Sequence, residues 1–196
     1  MKEIKAKLTF TEEILGTASG NPEIHEDFIA SNAPDAPSRQ EEIEAIGVEG
    51  EIEKSKTVFP RGEDGNPIFW DYQFKGFFKD ACGMLRNVDK AKSKNLKAYK
   101  KKIAGLVFVE PRKIPIKFDG EMGNCQRPLR AQTAQGERIA LANSETIPAG
   151  ATCEIKVICL DDGLEGAVIE WLDYGARRGV AQWRNSGKGT FTYELL

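Results

Sequence analysis

Apolar side chains alternate with a strict period of two at both ends of this chain, and that alternation limits its folds more than any single motif. Ile4, Ala6, Leu8 and Phe10 interleave with Lys5, Lys7 and Thr9, the pattern of a half-buried strand. Thr152 to Leu160 repeats it with Cys153, Ile155, Val157 and Cys159 on one face, and Phe191, Tyr193 and Leu195 do so again at the end. Between them the period changes. Phe74, Phe77, Phe78, Ala81 and Leu85 recur at helical spacing, which predicts a helix from an Asp71 N-cap to about Asn87. Each buried aromatic is worth roughly 1.5–3 kcal/mol, so this helix belongs to the core. A second helix, opened by Asp161-Asp162-Gly163, carries Leu164, Val168, Trp171, Leu172 and Gly175.

Val58-Phe59 reads as a short strand, Asp64-Gly65 as a tight turn, and Leu106 to Val109 and Ile114 to Phe118 as two β-prone segments. The order strand, helix, strands, helix, strand predicts an α+β, ferredoxin-like (RRM-like) βαββαβ fold, an antiparallel sheet with two helices on one face. With 196 residues and 40% hydrophobic content the chain is expected to form a single domain, residues 1–196, with inserted loops. Residues 17–56 are an acidic insertion with a short helix expected from Ser38 to Ile46, residues 88–102 are Lys-rich, and residues 119–138 form a long polar loop. No apolar run reaches membrane-spanning length and the N-terminus is charged and alternating, so a cytoplasmic protein is expected. Cys82, Cys125, Cys153 and Cys159 form no C-x-x-C pair and read as structural thiols, with no metal or other cofactor implied.

Charge is segregated. Residues 1–53 hold four cations against thirteen acids, and residues 75–117 hold thirteen cations against three acids. Such a positive region suits an anionic partner, although a solvated face has the same composition. Lys75, Lys79 and Arg86 share one face of the first helix. In the polar loop Arg127, Arg130 and Gln132 are placed to meet sugars or bases. The stretch from Tyr174 to Tyr193 contains Gly175, Gly179, Gly187 and Gly189 among Arg177, Arg178, Arg184 and Lys188. Glycines there allow close backbone approach to a ligand and the cations oppose a polyanion, whereas a helix cap followed by a solvated loop is the plainer alternative. Trp183 either stacks on a base or anchors the loop.

Three segments resemble the RAMP superfamily of RRM-like CRISPR backbone and processing subunits. LTFTEEILG is similar to that family's opening strand and glycine turn. VFPRGEDGNPIFWDYQFKGFFKDACGML looks like its entry into the first helix, with Asn66-Pro67-Ile68, Lys75-Gly76 and Lys79 at matching places. YGARRGVAQWRNSGKGTFT resembles its glycine-rich loop and closing strand. The family's Pro-Gly-Ser-Ser turn is replaced by Phe69-Trp70-Asp71-Tyr72, and the acidic insertion and the QRPLRAQTAQGER loop match no family motif. The chain also looks like phage and prophage proteins, which implies a stand-alone member.

With no second catalytic group at defined spacing, the cations and the resemblance together point to a non-catalytic protein that binds single-stranded nucleic acid, RNA in preference to DNA, alone or by self-association along a strand. Two alternatives stand beside it. One is a phage counter-defence module that caps a CRISPR-type effector complex through the acidic segment from Glu41 to Glu53. The other is a metal-dependent endoribonuclease using Asp27 or Asp35 on the loop after the first strand, where His25 is the chain's one histidine.

Overall fold

The computed structural model describes residues 1–19, 56–133 and 136–196 and, within them, the side chains outside 129–141. The strands and helices run in the order β1 (Lys2–Phe10), β2 (Ile14–Leu15), β3 (Ala18–Ser19), β4 (Thr57–Val58), β5 (Ile68–Trp70), α1 (Asp71–Leu85) and α2 (Tyr99–Leu106). They continue as β6 (Val107–Glu110), β7 (Lys113–Pro115), β8 (Gly123–Thr133), β9 (Gly136–Ile147), β10 (Thr152–Cys159), α3 (Glu165–Tyr174) and β11 (Phe191–Leu195). Two compact units are present. One comprises 1–14, 60–121 and 147–196, and the other 15–59 and 122–146.

In the first unit the period-two alternation of β1 becomes the centre of a four-stranded sheet, ordered β11-β1-β10-β6 and antiparallel at every pairing. Ile4, Ala6, Leu8 and Phe10 are buried, as are Cys153, Ile155, Val157 and Cys159 across the ladder. Lys5, Glu154 and Glu110 point the other way and are exposed. The buried face receives α1 and α3. Phe69 and Phe74, Phe10 and Phe191, Phe77 and Phe191, and Phe78 and Trp171 meet with ring centroids 5.4–5.9 Å apart. Such offset and edge-on contacts add to the burial of the rings themselves. Burial pushes the Cys159 thiol up to about 11 and the Cys153 thiol further, so both behave as packing side chains. A two-stranded ribbon, β5 with β7, completes this unit.

Several expectations need correction. Helix α1 begins at Asp71, so Trp70 and not Asp71 is its N-cap, and Gln73 Oε1 accepts the Trp70 N–H at 2.7 Å. The helix stops at Leu85, two residues before Asn87. The sequence reading of two helices missed α2, which lies in the Lys-rich region. Its Ile103 is fully buried while Lys100 and Lys101 stay outside, so one anchoring side chain and the following strand suffice to hold a short, mostly polar helix.

The second unit is a sheet in which β9 pairs with β2, β4 and β8 and β3 adds to β4. Residues 123–133, read from sequence as loop, are strand β8, paired antiparallel with β9 from Gly123↔Thr146 to Thr133↔Gly136. Backbone pairing along the whole length supplies what the sparse apolar side chains do not. The short strand expected at Val58-Phe59 is Thr57–Val58, and the Phe59 N–H bonds Glu145 Oε2 at 3.0 Å. Residues 20–55, including the helix expected from Ser38 to Ile46 and the acidic segment to Glu53, lie outside the described residues. Among the described residues no helix is long and apolar enough to cross a membrane.

Candidate nucleic-acid interface

Helix α3 ends where Gly175 meets Phe191. A Cβ on Gly175 would lie 2.2 Å from the Phe191 ring, so only glycine lets the helix end close on the last strand. The Phe191 N–H bonds the Gly175 carbonyl at 3.1 Å. Further on, the chain pinches shut. Val180 N–H bonds Gly189 O at 3.0 Å, and a Cβ on Gly179 would be 2.2 Å from the Gly189 carbonyl carbon. Gly189 takes φ of 68° and passes its own N–H to the Glu13 carbonyl at 2.9 Å, which docks the loop on the residues that follow β1. Thr190 is buried and shares a 2.9 Å hydroxyl contact with Thr11. Of the four loop glycines, Gly187 and Gly189 have positive φ.

Beyond the pinch, residues 181–188 form a loop that contains a 3-10 turn at Arg184–Ser186. Ala181 and Trp183 both adopt positive φ, 68° and 55°. Side chains with a Cβ reach that region at a cost, and such strain gathers where a surface is built for contact. Trp183 is 38% exposed. It lines a pocket of about 300 Å³ with Arg178, Ala181, Gln182, Arg184 and Asn185.

Asp80, on α1, sets the two arginines of that pocket. Its Oδ2 accepts from Arg178 Nε at 2.9 Å and from Arg184 Nη1 at 3.0 Å, and Asn185 Oδ1 accepts from Arg178 Nη1. The hydrogen bond with Asp80 holds the Arg178 proton more tightly than usual. Each guanidinium carries about five donors, and Asp80 and Asn185 use three of the pair's N–H groups. The cluster keeps a net positive charge and donors to spare. Lys188 is differently engaged, 2.8 Å from Glu13 Oε1 and 3.7 Å from Glu12 Oε2. The Arg177 side chain is exposed, with no ion-pair partner among the described residues.

The basic stripe of α1 faces α2 and β6. Lys75 Nζ donates to the Ala104 carbonyl at 3.1 Å and sits 4.6 Å from the Phe108 ring centroid, and partial burial lowers its pKa. Arg86 Cζ lies 5.1 Å from the Tyr99 ring, and Lys79 is half-buried. These cation–π contacts spend part of the charge that the sequence assigned to a ligand. Arg127 is in the other unit, buried, with Nη1 donating to Ser144 Oγ at 3.0 Å, and Ser144 in turn is 2.7 Å from Thr57 Oγ1. Arg130 and Gln132 lie on β8 but their side chains are outside the described residues, as are His25, Asp27 and Asp35 entirely.

A larger pocket, about 660 Å³, opens on the outer sheet among Lys5, Glu110, Arg112, Glu154 and Lys156. Its cations and acids nearly balance, so it offers a polyanion little. What sequence reasoning missed at the loop is Asp80. It is 98 and 104 residues from its arginines, and nothing local in Lys79-Asp80-Ala81 signals that pairing.

No family model and no curated protein matches the sequence. Among solved structures, the whole chain aligns with a chain of a Type III-B Cmr-beta complex bound to cognate target RNA, at a TM-score of 0.53 and 9% identity. It spans 59% of the length of that chain. A chain of a Type IV-B CRISPR complex aligns over 100% of this chain and 90% of its own, at a TM-score of 0.48 and 14% identity. The likeness to the Cmr-beta chain is one of fold, a mixed α+β architecture with largely antiparallel sheets and, among the described residues, three helices.

Proposed function

We propose that this chain is a RAMP-type subunit that holds single-stranded RNA by its phosphate backbone, without cleaving it, as part of a CRISPR-type effector complex. The sheet order β11-β1-β10-β6, antiparallel throughout, supports reading the larger unit as a ferredoxin-like βαββαβ core. In the same reading the chain is one RAMP-type domain, with the segments around β8 and β9 as an insertion.

The observation that carries the proposal is the convergence of Trp183, Arg178 and Arg184 on one small pocket at the glycine loop. A partly exposed aromatic ring and a charged fork with unused donors are the two elements of sequence-tolerant single-strand binding. Arg177 adds an exposed cation, without an ion-pair partner among the described residues. The loop is docked on the end of β1 through Glu13, so its position is set before a ligand arrives. The fold of the Cmr-beta chain adds to the plausibility of an RNA partner, since that complex is one bound to RNA.

Retention of fluorescently labelled single-stranded RNA, titrated against salt, tests this. The wild type is expected to bind at low salt and to release as salt rises. Trp183→Ala removes a stacking platform worth roughly 1–3 kcal/mol per base and should weaken binding accordingly. Arg177→Glu should weaken it as well. Absence of retention at low salt would reject the function, and undiminished affinity in both variants would move the site off the loop.

A further inference from the structure

Residues 90–102 carry the densest exposed positive charge among the described residues, and the structure does not leave them as a loose tail. Lys90, Lys92, Lys94, Lys97, Lys100 and Lys101 are all exposed. Asp89, on Lys94, is the only acid that pairs with any of them among the described residues. Glu170 of α3 lies against the same segment, yet its carboxylate is taken up by the backbone. It accepts from Lys92 N at 2.7 Å, from Ser93 N at 3.1 Å and from Ser93 Oγ at 2.7 Å. Trp171 Nε1 donates to the same Ser93 Oγ at 2.8 Å, and Ser93 is fully buried.

The rest of the segment is shaped by backbone turns. Successive turns are closed from Ala91 N to Val88 O, Lys94 N to Ala91 O and Leu96 N to Ser93 O before α2 begins. Lys90 and Ala98 adopt positive φ, 67° and 50°, at the two bends. A lysine run that served solubility alone would need none of this anchoring. Here one buried serine and a carboxylate spent on main-chain donors hold an array of like charges in place. Their mutual repulsion opposes folding and is relieved by a polyanion.

We infer that this ridge is a second RNA-contacting surface, a phosphate-backbone track separate from the glycine loop. The inference rests on the RNA-binding reading given above. Its composition favours a nucleic-acid backbone over an acidic protein. Protein interfaces centre on apolar and aromatic side chains, and no large apolar side chain between residues 89 and 102 is exposed. Lysines are point charges that suit phosphates one by one without a sequence requirement.

The test compares the full chain with Lys97→Gln/Lys100→Gln/Lys101→Gln in RNA retention across a salt series. Neutralising three contacts on a single strand should make the log K against log salt slope shallower by about 2. Lys97→Arg/Lys100→Arg/Lys101→Arg keeps the charges and should keep the slope. Trp183→Ala should lower affinity with little change of slope, which separates the ridge from the loop. A wild type that binds RNA and a glutamine variant with the wild-type slope would overturn the ridge alone. Loss of the slope in the arginine variant would also overturn it, because charge would then not be the cause. A wild type that retains no RNA would reject both this inference and the reading beneath it.

Discussion

Replacing Asp80 by asparagine removes the one negative charge from a three-member cluster whose geometry sets the cost. In the wild type Oδ2 lies 2.9 Å from Arg178 Nε and 3.0 Å from Arg184 Nη1, and the Asp80, Arg178 and Arg184 side chains are 22%, 25% and 30% exposed. A charge-assisted hydrogen bond contributes roughly 1.5–3 kcal/mol when buried, against less than about 1 kcal/mol for an exposed ion pair. These exposures put each bond between the two limits, near 1 kcal/mol after solvent screening, and the pair together near about 2 kcal/mol. In a chain of this length 1 kcal/mol moves Tm by about 2–4 °C, so Asp80→Asn should unfold about 4–8 °C lower. Thermal unfolding followed by circular dichroism measures this directly. A double-mutant cycle with Arg178→Gln should return a coupling energy of about 1 kcal/mol, isolating the Asp80–Arg178 bond from the loss of either side chain. A Tm within about 1 °C of the wild type would refute the reasoning, because the loop would then be held by its backbone alone and the arginines would owe Asp80 nothing.

Three further outcomes follow from local geometry. Gly175→Ala places a methyl 2.2 Å from the Phe191 ring, which is itself held against Phe10 and Phe77, and should cost about 3 kcal/mol by overpacking. Gly76→Ala, within exposed α1 backbone with nothing near the new Cβ, should instead stabilise by roughly 0.5–1 kcal/mol, and unfolding midpoints of the same sign for both would contradict the packing. The Tyr193 phenol, partly buried and donating to Asp173 Oδ1 at 2.8 Å, is pushed up to about 12. The unfolded chain releases that proton near 10, so the stability it contributes is full below about pH 10 and is lost as pH rises through the folded value. An alkaline absorbance titration should show a late ionisation step that Tyr193→Phe abolishes. A titration without such a step would refute it.

Much of the larger unit was legible because its signals are local. The alternation in β1, β10 and β11 and the helical repeat of Phe74, Phe77 and Phe78 follow from which faces must leave water, whatever lies opposite. Strand β8 was not legible, since an edge of polar residues such as Gln126 and Arg127 announces itself only when a partner strand supplies its hydrogen bonds. Helix α2 was hidden by its lysines for a related reason. A single buried Ile103 is too weak a pattern to separate from a solvated run.

The candidate site divides along the same line. By itself the sequence determined that cations, glycines and a tryptophan gather between the last helix and the last strand, because those residues are neighbours along the chain. Tertiary structure alone decided which of those cations remain available. Within that stretch Lys188 was paired with Glu13, Arg178 and Arg184 were oriented by Asp80 with donors to spare, and Arg177 was left exposed, while elsewhere Lys75 and Arg86 were set over aromatic rings. Charge is written residue by residue, but whether it is spent inside the molecule or presented outside depends on partners that folding brings from far along the chain.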